Sequence, residues 1–196
     1  MSDPGAMNAY AGSADLPGWF GKIPALGDFV TRRLPMTFVR RWDEWLAAEL
    51  SMSAEDLGEA WAEAYRQAPI LCFSAAAGTI DAHAWHGIVM SSYDRVAREF
   101  PLTIARAGAP EEEPEMGWKQ WAVIARRALN PAYDPDGLDQ ALADLRGNAE
   151  YATLHVGASA WWCLYPTEEW VATPLGVYEG LPQGPYRRVL AARHPG

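Results

Sequence analysis

Three apolar runs, Ile70 to Ala77, Ala84 to Ser91 and Phe100 to Arg106, follow one another with only short connections between them. That spacing constrains the fold more than any other feature. A parallel pairing needs a crossover of a dozen or more residues, so strands joined this tightly pair antiparallel. Gly78-Thr79 marks the first connection, and the polar segment Ser92 to Glu99 forms the second.

Ahead of these runs the period changes from two to 3.6. Leu34-Pro35 is a helix-start signal, and Phe38, Val39, Trp42, Trp45, Leu46 and Leu50 recur at helical spacing, which predicts an amphipathic helix over 36–50. Ser53 with Asp56 resembles a capping box, and Leu57, Trp61 and Tyr65 follow at intervals of four. A second helix ending near Ala68-Pro69 is expected there. Beyond the strands, Trp118, Trp121, Ala122, Ala125 and Leu129 mark a helix over 116–129 that Asn130-Pro131 stops. A short helix through Leu138, Ala141, Leu142 and Leu145 follows Pro135-Asp136-Gly137. Two further strands are expected over Ser159 to Tyr165 and Glu169 to Ala172, and a short helix over Tyr186 to Ala192. Helices and strands fall in blocks rather than in regular alternation, so the class is α+β, an α/β/α sandwich with a central, mostly antiparallel sheet flanked by helices.

At 196 residues, 49% of them hydrophobic, the chain is long enough for one well-filled core. A single domain over 18–196 is expected, preceded by a disordered segment over 1–17 that has no signal-peptide pattern. A net charge of −9 argues against nucleic acid and against an anionic membrane, and no stretch is apolar enough to span a bilayer. The acidic run of Glu111, Glu112, Glu113 and Glu115, with Pro110 and Pro114, reads as a solvated loop. Cys72 and Cys163 sit in apolar runs and read as free core thiols. Of the adjacent Trp161 and Trp162, one must face each side of its strand.

Catalytic and metal-binding arrangements find little support. Asp81, His83 and His86 supply ligand types suited to zinc or iron, but the two histidines are odd-spaced and would point to opposite faces of a strand. No metal or other cofactor is expected. Gly157-Ala158-Ser159-Ala160 lacks the second glycine of a nucleophile elbow, and Gly21-Lys22 is not a phosphate loop.

Two polar-rich signatures remain. The first runs from Gly18-Trp19-Phe20-Gly21-Lys22 to Gly27-Asp28-Phe29, and the second from Ser92-Tyr93-Asp94-Arg95 to Phe100-Pro101-Leu102. In the first, glycines and Pro24 shape a turn, Trp19 and Phe20 plug the core, and Asp28 caps or accepts backbone bonds. The same fixed turn could present Lys22, Asp28, Arg32 and Arg33 to a partner. In the second, Asp94 pairs with Arg98 or with Arg32 across the fold, or else Arg95 and Arg98 receive a partner's acidic group.

These residues resemble the TagF family, also called ImpM, associated with bacterial type VI secretion. The resemblance rests on Gly18-Trp19-Phe20-Gly21-Lys22-Ile23-Pro24, Gly27-Asp28-Phe29-Val30, Arg33-Leu34-Pro35 and Trp42-Asp43-Glu44-Trp45-Leu46. It continues in Ser92, Asp94-Arg95-Val96, Arg98 and Phe100-Pro101-Leu102-Thr103, and more weakly in Trp161-Trp162 and Gly180-Leu181-Pro182. Ala97 departs from it, since the family pattern often has Gly there. The resemblance implies a non-enzymatic, cytoplasmic, post-translational repressor of secretion. It also implies a partner, the forkhead-associated-domain scaffold of that apparatus, and a sheet flanked by helices. The expected contact set is Lys22, Asp28, Arg32, Arg33, Asp94, Arg95 and Arg98. The alternative is a small enzyme using Asp28 or Asp94 as acid or base, which requires one of them to be desolvated with a raised pKa.

Overall fold

In a computed structural model describing residues 16–108, 114–145, 154–165 and 170–184, with 186 and 188, the apolar runs pair as one sheet. The elements in chain order are β1 (Gly18–Gly21), β2 (Val30–Arg32), α1 (Met36–Leu57), α2 (Trp61–Arg66), β3 (Ile70–Ala75), β4 (Trp85–Met90) and β5 (Leu102–Ala107). Then come α3 (Pro114–Arg127), α4 (Pro135–Ala143), β6 (Ala158–Leu164) and β7 (Ala172–Glu179). The strand order is β2-β1-β5-β4-β3-β6-β7, and every neighbouring pair is antiparallel. The class is therefore mixed α+β.

Every residue of β3 and β4 is buried, because both faces of the sheet are covered. Leu71, Phe73, Trp85 and Val89 join Phe38, Trp42 and Leu46 of α1 in one core. The alternate residues Cys72, Ile88, Leu102 and Ile104 join Trp118, Trp121, Leu138 and Leu142 of α3 and α4 in a second. Period-two alternation thus divides the strand side chains between a core shared with α1 and α2 and a second core shared with α3 and α4. Trp161 packs beside Trp42, Trp45 and Phe73, whereas Trp162 meets Trp118 on the opposite side, as their adjacency requires. Cys72 and Cys163 are buried and free.

Three expectations need correction. Ser53 caps no helix: α1 runs through it, and its buried hydroxyl donates back to the Glu49 carbonyl at 2.7 Å. The break comes at Gly58, whose φ of 51° ends the helix, and a single 3₁₀ turn leads into α2. The last strand runs from Ala172 to Glu179 rather than from Glu169 to Ala172. Pro174 and Gly176 disguise it in the sequence, and both sit where the β6–β7 register shifts, on an edge strand that tolerates them. Finally, the first signature is a β-hairpin, its turn flanked by β1 and β2. Residues 1–15, Pro110 and Glu111 to Glu113 of the acidic loop, and most of the helix expected over 186–192 lie outside the described residues.

Candidate functional site

The two signatures meet because β1 pairs with β5. This pairing places the loop after β1 against the turn that leads into β5. Gly21 makes the approach feasible: at φ 132° its backbone is one that L-residues avoid, and a Cβ there would run into the Pro101 carbonyl. Gly27 likewise lies under the Arg95 guanidinium, 3.0 Å from where a Cβ would stand.

Asp94 is the hub of the junction. Its side chain is fully buried. One oxygen accepts from the backbone amides of Val96 at 3.0 Å and Arg98 at 2.9 Å. The other accepts from Arg98 Nε at 2.7 Å and faces Lys22 Nζ at 3.2 Å. Burial alone would raise this carboxyl, but the Arg98 amide and guanidinium, the Lys22 ammonium and the Val96 amide outweigh it and hold it well below the usual carboxylate range. Asp94 is permanently ionised at neutral pH.

Further bonds lock loop to turn. The Arg98 guanidinium donates to the Gly27 carbonyl at 2.7 Å, the Arg95 amide to the Leu26 carbonyl at 2.8 Å, and the Ser92 hydroxyl to the Lys22 carbonyl at 2.7 Å. From beneath, the buried Tyr65 hydroxyl donates to the Ser92 carbonyl at 2.9 Å and accepts from the Ser92 amide at 3.1 Å. The turn closes through Ala97, whose amide donates to the Asp94 carbonyl at 2.8 Å and whose φ is 63°. Ala97 therefore holds the left-handed conformation that glycine adopts without strain. Phe29 stacks on Phe20, meets Phe100 edge-on at 4.7 Å, and carries the Lys22 ammonium 4.8 Å over its ring.

The expected contact residues therefore divide. Lys22, Asp94, Arg95 and Arg98 come together, with Asp28 on the adjoining loop, exposed and accepting from the Phe29 amide. Lys22 and Asp94 point inward, whereas Arg95 and Arg98 are exposed. Arg32 and Arg33 turn away toward α4: Arg32 reaches Asp136 at 3.6 Å, and Arg33 reaches Asp139 at 3.1 Å and the Pro17 carbonyl at 2.8 Å. The Asp94 partners are thus Lys22 and Arg98, and Arg32 is not among them. Three contributors went unread in the sequence. Tyr65 looks like one more residue on a helical stripe, and nothing local reveals that its hydroxyl braces a distant turn. Phe29 and Val96, 44% and 67% exposed, add apolar surface beside the arginines.

The Asp94 carboxyl is shifted away from the raised pKa that acid-base chemistry needs. His83 contacts Asp81 and Trp85 on the α1 side, while His86 bonds the Gly108 carbonyl and stacks on Trp121 of α3. The two imidazoles are therefore on opposite faces and share no site.

Residues 18–145 match the family model described as the TagF N-terminal domain, type VI secretion system-associated. Among solved structures, the chain is similar to that of PA0076 from Pseudomonas aeruginosa PAO1, with 31% identity and a TM-score of 0.71. That similarity covers 89% of this chain and 93% of the other. The comparison with curated proteins returned no match.

Proposed function

Because the chain belongs to the TagF family, associated with type VI secretion, we propose that it is a non-enzymatic regulator that represses secretion by binding a component of the apparatus. The partner is the system's forkhead-associated-domain scaffold, and the action is cytoplasmic and post-translational. The observation that carries this reading is the Asp94 junction, a buried ionic hub that holds an exposed corner rigid while doing no chemistry of its own. The corner displays Arg95 and Arg98 beside Phe29 and Val96, a mixture of cation and apolar side chain suited to an acidic, partly apolar partner surface. Among the described residues the Arg95 guanidinium has no hydrogen bond or ion pair, so it is available to an incoming carboxylate or phosphate. The two cores are read as the two sides of an α/β/α sandwich whose edge carries this corner. The acid-base alternative is disfavoured, since every Asp94 oxygen is occupied by donors.

The test is a pull-down from type VI secreting cells with wild-type and Arg95→Ala protein. The wild type retrieves the scaffold, and Arg95→Ala, which breaks no side-chain bond among the described residues, loses it while melting at the same temperature. Retrieval undiminished by Arg95→Ala and by Val96→Asp would refute the assigned surface.

A further inference from the structure

A second feature lies beyond this corner, at the end of the sheet where α2 runs into β3 and β4 leaves it. A cleft of about 350 Å³ opens there, lined by Arg66, Gln67, Ile70, Met90, Ser91 and Arg126 among others. That volume is within the range of small-molecule sites. Its chemistry is uneven. Ile70 and Met90, together with Leu129 at the end of α3, give an apolar floor, while two guanidiniums stand at the wall of a chain whose net charge is −9.

Among the described residues, neither arginine is firmly committed to an internal partner. Arg66 is 57% exposed and pairs at 3.2 Å with Glu63, itself 55% exposed, and at 3.9 Å with Glu99. Exposed pairs of this kind hold little free energy and exchange readily for a better-placed anion. Arg126 lies over the Trp170 ring, 5.8 Å from its centroid, a contact that leaves the planar edge of a guanidinium open to donate. Ser91 also lines the cleft, but its hydroxyl lies against the buried hydroxyls of Tyr65 and Tyr186.

We infer that this cleft binds a small amphipathic anion, with a phosphate or carboxylate head held between Arg66 and Arg126 and a short apolar body over Ile70 and Met90. The site is separate from the Arg95 corner. The two adjoin through Ser91-Ser92 and through Glu99, whose backbone bridges Tyr93 in the second signature, so an anion that takes Arg66 competes directly with that turn's own carboxylate.

The test is titration of the isotope-labelled full chain, followed by amide NMR, with phenyl phosphate, benzoate, benzyl alcohol and inorganic phosphate. Phenyl phosphate or benzoate is expected to saturate with shifts centred on Gln67, Met90 and Ser91, and comparison of the two tells a phosphate head from a carboxylate. Arg126→Gln and Arg66→Gln should each weaken binding by about tenfold, the scale of one charge-assisted contact. Arg95→Ala should leave it unchanged, which separates this site from the proposed partner surface. If the arginines serve only to complement helix ends, Arg126→Gln binds as the wild type does and the inference is overturned. It is equally overturned if no anion saturates, or if benzyl alcohol or inorganic phosphate alone binds as tightly as phenyl phosphate.

Discussion

Replacing Tyr65 by Phe removes one oxygen from beneath the second signature and tests how that turn is held. In the wild type the hydroxyl serves the Ser92 peptide at both ends, accepting from its amide at 3.1 Å and donating to its carbonyl at 2.9 Å. The two losses are unequal. The Ser92 carbonyl keeps the Phe100 amide as a donor at 3.1 Å, so it forfeits only a second bond, worth about 0.5–1 kcal/mol. The Ser92 amide loses the hydroxyl acceptor, and with Ser92 only 1% exposed water cannot replace it, a cost of about 1–3 kcal/mol. The ring stays, so there is no large cavity to add, and the sum is roughly 1.5–4 kcal/mol. For a chain of this size that lowers the melting temperature by roughly 3–16 °C. Denaturant unfolding measures the stability, and hydrogen exchange at the Ser92 amide locates the loss. Tyr178→Phe is the control: its hydroxyl is on a partly exposed residue and makes only long bonds, donating to the Leu175 carbonyl at 3.3 Å and accepting from the exposed Arg188 guanidinium at 3.3 Å, so about 0.5 kcal/mol or less is expected. A Tyr65→Phe cost no larger than that of the control, with Ser92 exchange unchanged, would refute the claim that this phenol braces the turn.

Two further outcomes follow from the same geometry. Ala97→Gly should raise stability by roughly 0.5–1 kcal/mol, because relieving the left-handed φ of 63° exceeds the added chain entropy of glycine; thermal unfolding decides it, and a lower melting temperature would contradict the strain assigned to Ala97. His86 is a pH probe. Burial, opposed by the Gly108 carbonyl and assisted by Arg106, pushes its imidazole down to about 4, so the unfolded chain takes up the proton first as pH falls. The stability tied to neutral His86 is therefore complete above about pH 6.5 and is lost between there and about pH 4, a change of about 3 kcal/mol. His86→Gln should flatten that segment of the stability profile measured by denaturant unfolding. An unchanged slope would show that other groups carry it.

The elements themselves were legible wherever the signal was local and uninterrupted. The stripe from Phe38 to Leu50 predicted the first part of α1, and the runs beginning at Ile70, Ala84 and Phe100 predicted β3, β4 and β5 to within two residues at most ends. Reading failed where a local cue had a tertiary answer. Ser53 looked like a cap but spends its hydroxyl inside the helix, and Pro174 with Gly176 looked like punctuation but belongs to an edge strand. The site was half legible. Asp94 with Arg98 is a pair four residues apart and could be anticipated, whereas Lys22 and Tyr65 approach the same turn from other elements.

The sequence by itself determined the antiparallel class, the two faces of each strand and the family, because all three depend on spacing along the chain. Connection length rules out parallel crossovers among β3, β4 and β5, period two divides Trp161 from Trp162, and the signatures persist as strings of residues. Only the tertiary structure decided which charges meet. Lys22, Arg32 and Arg33 are equivalent cations to a reader of the sequence, yet the β1–β2 hairpin turns Lys22 inward to Asp94 and sends Arg32 and Arg33 toward α4. Coulombic attraction has no sequence selectivity of its own, and the partner of each charge is set by the backbone that carries it.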